Sequence, residues 1–428
     1  MKKQTNENSL QVTISGTGFA GDFTAQVFQQ IPHKNGITIE LAGVTSGHLG
    51  NAERFAKRHK VERAFENHRE MLDKVKPHID CIACANYAHA HYVREAAEAN
   101  TPVIVLEKPP MIWPGYREAQ KADAETRKIE TMEAFHDVLE AVENSSSKLL
   151  YAENFTYIDA IQSLVMLMGE TAQHDKGKIL LQQGICAHQG SHAPDYDSPS
   201  KSGGGSLMNK ACHPLGPALY LKQIEGILCN GSPIRPIKVS GVAQQILKQQ
   251  SKSTGEHFRV MQNVDDYARL TVIFEDNTIA ELLGSDLSIS GIRNTFSVIS
   301  DFGQYDMRIN PNDSNELFLP DSRVAGNILV REKLPTSQGT SFPCPRQFHA
   351  HGYINEMDDA INCALKKDQY PQSGMMLAWD TLAILMAGYE SAEKKSTFID
   401  ISDFTLGRGF EESVLPNPQY IDPLLQRQ

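Results

Sequence analysis

Cysteine and tryptophan are scarce in this chain, and no long apolar run occurs in it. The seven cysteines are an odd, scattered set with neither disulfide-framework nor common zinc spacing, which fits a reducing compartment and no bound metal. Cys81 and Cys84 fall on a strand-like run, where residues three apart point to opposite faces; they are expected as small buried groups rather than a redox couple. No segment is long and apolar enough to span a bilayer, and the opening residues MKKQTNENSLQ lack the apolar stretch of a signal peptide. Acidic residues outnumber basic ones, 52 to 41, and the formal charge of -11 argues against nucleic-acid or anionic-membrane partners. A cytoplasmic protein is expected.

The 428 residues, 40% hydrophobic and 22% charged, suffice for two or more domains, each with its own core. Through residue 110 strand-like and helix-like patches alternate: LQVTISG, FTAQVFQQI, ITIELAGVT, AERFAKRH, IDCIACA, HYVREAAEAN, PVIVLE. Such alternation predicts βαβ units and a mainly parallel sheet. A long polar helix is expected from Tyr116 to Asn144, then one more strand, LLYAENF. Past Phe155 the rhythm gives way to long strand-like runs such as DYARLTVIFED and RNTFSVISDFG, joined by turns such as Asp276-Asn277, which predict an antiparallel sheet. Two late helices, Phe348–Lys366 and Met375–Lys394, are expected to pack back on the first domain.

In VTISGTGFAGDF, Gly16, Gly18 and Gly21 stand in the spacing G-x-G-x-x-G between a strand and a helix. Gly16 suits the tight turn, Gly18 the close approach of a pyrophosphate, and Gly21 close helix–strand packing; the helix start stabilises the phosphate charge. Phe19 and Ala20 belong to the same loop. The turn after the second strand, Thr45-Ser46-Gly47-His48, offers neither the carboxylate that reads an NAD ribose nor an arginine for a 2′-phosphate. Ser46 is its candidate cofactor contact, and NAD is preferred with NADP open. The fold expected is an α/β Rossmann domain, residues 1–155, followed by an α+β domain, residues 156–428, with a large, mostly antiparallel open sheet.

The stretch PVIVLEKPP ends a buried strand on Glu107 and Lys108. At the carboxyl end of a strand in such a sheet, Lys108 is expected to face the cofactor's reactive edge, with Pro109 and Pro110 stiffening the loop beyond. A strand-end salt bridge is the plainer alternative. Together GTGFAG, ANYAHAHYVREAAEA, VLEKPP and KSGGGSLMNKACHPLG resemble the Gfo/Idh/MocA oxidoreductase family over nearly the whole chain. The resemblance implies that Lys108 contacts substrate and nicotinamide ribose, that Glu107 contacts the cofactor ribose, and that Asn86 and His89 lie on the nicotinamide side. It implies a homodimer or homotetramer assembled through the open sheet. His213 matches the family's acid/base histidine. Asn209 stands where relatives carry aspartate; it orients but neither holds charge nor accepts a proton. Spacing of four on one helix would put the two on one face. Lys108 would take over proton transfer if its pKa were depressed.

The loop CAHQGSHAPDYDSPSKSGGG lines the substrate pocket in relatives, so His192, Asp195 and Tyr196 join Asn154, Lys108, Asn209 and His213 as expected substrate contacts. The turn FHAHGY, with His349 and His351, is expected at the surface. The reaction expected is hydride transfer to or from a secondary hydroxyl of a sugar, sugar derivative or cyclitol. An NAD-dependent glycosidase and a dinucleotide sensor are the alternatives.

Overall fold

The computed structural model describes residues 9–191, 193–250, 258–289, 291–310, 317–319, 339–341 and 347–406. The first sheet holds β1 (Ser9–Ser15), β2 (His33–Lys34), β3 (Ile37–Thr45), β4 (Arg63–Phe65), β5 (Ile79–Ile82), β6 (Val103–Glu107) and β7 (Lys148–Ala152). Their order is β2-β3-β1-β5-β6-β7, with β4 on β3, and all but β2 run parallel. The cores of β6 and β7 are apolar on both faces and buried, and β5 is buried throughout with Asp80 as its one polar residue, as strands covered by helices on both sides must be. Strand order reverses at β1, which lies between β3 and β5. That switch point opens a crevice beyond the carboxyl ends of the strands.

Two expectations are corrected. The long helix begins at Ala124 rather than Tyr116, because Asp123 caps it by accepting the Thr126 N–H at 2.8 Å; residues Pro114–Glu118 form only a short 3-10 turn. The βα rhythm also outlasts Phe155: helix Asp159–Ala172, with Ile161, Leu164, Val165 and Met168 on its buried face, follows β7.

The second sheet holds β8 (Ile179–Ala187), β9 (Pro236–Gln244), β10 (Tyr267–Phe274), β11 (Ile279–Ser285), β12 (Arg293–Ser300) and β13 (Gln304–Asn310). β14 (Leu317–Leu319) and β15 (Gly339–Ser341) form a separate pair, and β16 (Ile399–Asp400) closes the second sheet's edge. The order is β13-β12-β8-β11-β10-β9-β16, antiparallel except at β8–β11. In β10, Ala268, Leu270, Val272 and Phe274 are buried and alternate with more exposed residues, so one face is covered and the other open.

The late helices pack as expected. Met357, Ala360 and Ile361 of helix Tyr353–Leu365 share a core with Val12, Ile14, Cys81 and Val105 of the first sheet. Helix Met375–Glu393 lies against β9 and against helix Ala124–Glu143, and its core residues join those of both halves. Among the described residues, no helix is long and apolar enough to cross a membrane.

Candidate active site

The glycine turn sits at the switch point. Gly16 has φ +121°, and a Cβ there would lie 2.3 Å from the Ala83 carbonyl oxygen at the end of β5. A Cβ on Gly21 would come within 2.1 Å of the Gly16 oxygen, whereas one on Gly18 would meet nothing within 4 Å. Both close approaches are to backbone, so neither position has slack. Helix Phe19–Phe28 starts at Gly18 without a side-chain cap. An uncapped helix start beside an open backbone cradle fits a dinucleotide pyrophosphate. Phe19 is exposed, Ala20 half-buried, and Ser46 follows β3 with its hydroxyl 3.3 Å from that of Thr17.

Beyond β6, Glu107 and Lys108 point into a crowded interior. The Lys108 ammonium donates to the Asn209 carbonyl at 3.4 Å. Burial alone would depress its pKa, but neighbouring Cys212 and the carboxylates of Glu107 and Glu153 outweigh that and raise it. Lys108 is therefore a cation at neutral pH, and the condition for its acting as a base is not met. Burial lifts the Glu107 carboxyl, against the pull of Lys108 and His213.

His213 is gripped from outside its own helix. Its Nδ1 lies 2.9 Å from Oε1 of Glu153, a fully buried residue directly after β7, and its ring stacks on Phe155 at 5.0 Å. The single-helix expectation for residues 209 and 213 is corrected. A short helix, Ser206–Asn209, ends where Lys210 leaves helical geometry (φ -128°, ψ -46°), and a new one, Cys212–Asn230, begins. The Asn209 amide instead turns back to the glycine loop, donating to the carbonyls of Gly204 at 2.8 Å, Ser202 at 3.3 Å and Gly205 at 3.4 Å.

The other expected residues spread around this centre. Asn86 donates to the Ser202 carbonyl at 2.9 Å and lines a cavity of about 270 Å³ with Tyr87, Met111, Ile112, Trp113 and Arg117. Neither Lys108 nor His213 lines that cavity. His89 is buried, with Nδ1 2.9 Å from the Pro109 carbonyl and Nε2 3.3 Å from that of Cys84; burial pulls its pKa down to about 4. As a neutral ring it carries one N–H and donates to one of these two carbonyls at a time. Asn154 is buried and donates to the His351 carbonyl at 2.8 Å. Asp195 pairs with Lys201 at 2.7 Å on the surface, and Tyr196 is buried with its hydroxyl 3.2 Å from Asp286. His192 lies outside the described residues. The FHAHGY turn is packed inward, contrary to expectation: His351 adjoins Tyr353, and burial lowers its pKa to about 4.

Three features of the site were not anticipated. Glu153 is the partner of His213. Lys210, beside Asn209, forms a fully buried ion pair with Asp286, which also accepts from Ser206 at 2.7 Å. The Asp265 carboxylate accepts the N–H groups of Gly205 and Leu207 and the Tyr389 hydroxyl, at 3.0, 2.7 and 2.8 Å, pinning the glycine loop. Glu153, Cys212 and His213 also bring donor atoms within 4.8 Å of one another, but the Lys108 cation beside them makes this a poor seat for a divalent ion.

The crevice, glycine turn and uncapped helix define an NAD-binding Rossmann domain. Residues 10–135 match the model of the Gfo/Idh/MocA family, described as an oxidoreductase family with an NAD-binding Rossmann fold. No curated protein sequence matches the chain. Solved structures share the whole two-domain fold. GenD2 from gentamicin A biosynthesis, in complex with NAD, has a TM-score of 0.69 at 16% identity, covering 94% of this chain and 99% of its own. Myo-inositol 2-dehydrogenase from Lactobacillus plantarum gives 0.65 at 17% identity, covering 92% and 99%. Levoglucosan dehydrogenase, in complex with NADH and levoglucosan, gives 0.61 at 17%, also covering 92% and 99%.

Proposed function

We propose that the chain is an NAD-dependent dehydrogenase for a secondary hydroxyl of a sugar, sugar derivative or cyclitol. The observation that carries this reading is the convergence of Lys108, from the end of β6, with the Asn209–His213 segment: the ammonium reaches the Asn209 carbonyl beyond the glycine turn. Bound NAD supplies the hydride acceptor. The remaining chemistry falls to the chain. With Nδ1 of His213 held by Glu153, Nε2 is the nitrogen left to take the hydroxyl proton. As the carbon gives up its hydride, the Lys108 cation stabilises the oxygen that becomes the carbonyl. In the reverse direction Nε2 returns the proton.

The same reading takes Gly16, Gly18, Phe19, Ala20, Gly21, Ser46, Asn86 and Glu107 as the cofactor side, with residues 1–155 as its domain. It also takes the open face of the second sheet as the contact of a homodimer or homotetramer. Purified protein, NAD and a panel of inositols, sugars and glycosides test it, with nicotinamide absorbance and released sugar both followed. Accumulating NADH with a polyol is the expected result. Glycoside cleavage without net NADH, or no reaction with any of the panel, would contradict it.

A further inference from the structure

We infer that Glu153, not residue 209, is the carboxylate that positions the acid–base histidine, and that Asn209 latches the glycine loop instead. For its catalytic meaning this rests on the function proposed above; the pairing itself can be tested apart from it.

Four observations converge. Glu153 is wholly buried and puts Oε1 at 2.9 Å from His213 Nδ1, while the same oxygen accepts the Phe155 N–H at 3.3 Å. Among the described residues its Oε2 has no hydrogen-bond partner. A buried carboxylate is costly without compensation, so the imidazole N–H is its principal one. The helix carrying His213 is also thinned for this side chain. Gly216, one turn along, is a glycine inside a helix, where alanine is ordinarily preferred by about 1 kcal/mol. A Cβ there would lie 2.2 Å from Glu153 Cγ. Finally, position 209 is unsuited to a carboxylate. The Asn209 amide nitrogen faces three carbonyl oxygens; a carboxylate oxygen in its place would repel all three and leave the loop unlatched.

The groups that face His213 come from several elements. Glu153 and Phe155 follow β7, Glu107 and Lys108 end β6, and Cys212 precedes it on its own helix. Glu356, from helix Tyr353–Leu365, acts on both Glu107 and Glu153. Among these, the Glu153 carboxylate is the group that hydrogen-bonds the ring. It fixes the tautomer with hydrogen on Nδ1 and stabilises the imidazolium that proton uptake creates.

The decisive experiment is proton NMR of the His213 imidazole N–H in the full chain, assigned by its loss in His213→Asn, and compared with Glu153→Gln and Gly216→Ala. Glu153→Gln keeps the volume and removes the charge. It should move the Nδ1–H resonance upfield, because a neutral acceptor makes a weaker hydrogen bond than a carboxylate, with thermal stability near the parent's. Gly216→Ala should move it the same way by pushing the carboxylate off the ring. An unchanged resonance in a folded Glu153→Gln protein would overturn the inference. So would one equivalent of tightly held zinc in the purified parent, which would make Glu153 a ligand. With any alcohol that reduces NAD, Glu153→Gln should lower kcat at least tenfold with KM little changed, and Glu153→Asp should restore part of it. If no alcohol reduces NAD, the proposed function fails while the Nδ1–H resonance still decides this inference.

Discussion

On the cofactor side of the crevice the walls are backbone: Gly16, Gly21 and a bare helix start, all within one short turn. On the side proposed to react they are side chains, and these arrive from distant parts of the chain. Lys108, Glu153 and His213 end β6, follow β7 and open a helix of the second half. The backbone wall tolerates no added carbon where it packs, yet its chemistry needs no particular side chain. The side-chain wall is proposed to act through the charges of Lys108 and Glu153 and the ring of His213. Binding and reaction should therefore be separable by mutation.

The largest effect is expected at Gly21→Ala, whose Cβ would meet the Gly16 carbonyl at 2.1 Å; soluble folded yield, followed by circular dichroism, should collapse. Gly18→Ala sharpens the contrast. Its Cβ enters open space, so the fold should keep its melting temperature while NAD affinity, read by nucleotide titration, falls tenfold or more. On the other wall, Lys108→Ala should lower turnover by about 10²–10⁴-fold with NAD affinity near the parent's; equal losses in both would erase the distinction between the walls.

A smaller change is expected at Asn209→Asp. Removing the donor to three carbonyls should cost about 1–3 kcal/mol in thermal unfolding and lower activity rather than restore it. The effect most remote from both walls belongs to the first domain's interior. His68 lies between Asp80 at 2.9 Å and Glu95 at 2.7 Å. Burial opposes its charge, but the two carboxylates win and raise its pKa to about 9. Because the folded value exceeds the usual 6.5, its stabilisation is complete below pH 6.5 and is lost as pH rises through about 9. Unfolding free energy should fall by about 3 kcal/mol at most across that window, and His68→Gln should flatten this component.

The two walls also differ in how far the sequence discloses them. The glycine turn is legible because its logic is local: spacing, a strand before and a helix after. Lys108 is legible by a charge stranded at the end of a buried strand. Glu153 stands just past LLYA in the same situation, so the same reasoning reaches it, but its partner lies 60 residues away and no local pattern links them. The Asn209–His213 spacing misleads because it presumes one helix, and the break at Lys210 answers to a tertiary demand, the buried bond to Asp286. The alternating runs of β8 to β12 are read correctly as strands, since one covered and one open face leave a period of two. Helix Asp159–Ala172 is hidden because apolar residues also stand on its exposed side, Met166 and Leu167, and blur the period of its buried face.

The most direct test of the two-wall account is NAD affinity and turnover measured side by side in Gly18→Ala and His213→Ala. The account predicts crossed losses: Gly18→Ala loses affinity with a melting temperature like the parent's, and His213→Ala keeps affinity while turnover falls at least a hundredfold. Unchanged turnover in His213→Ala, or an NAD affinity that falls in step with it, would contradict the account.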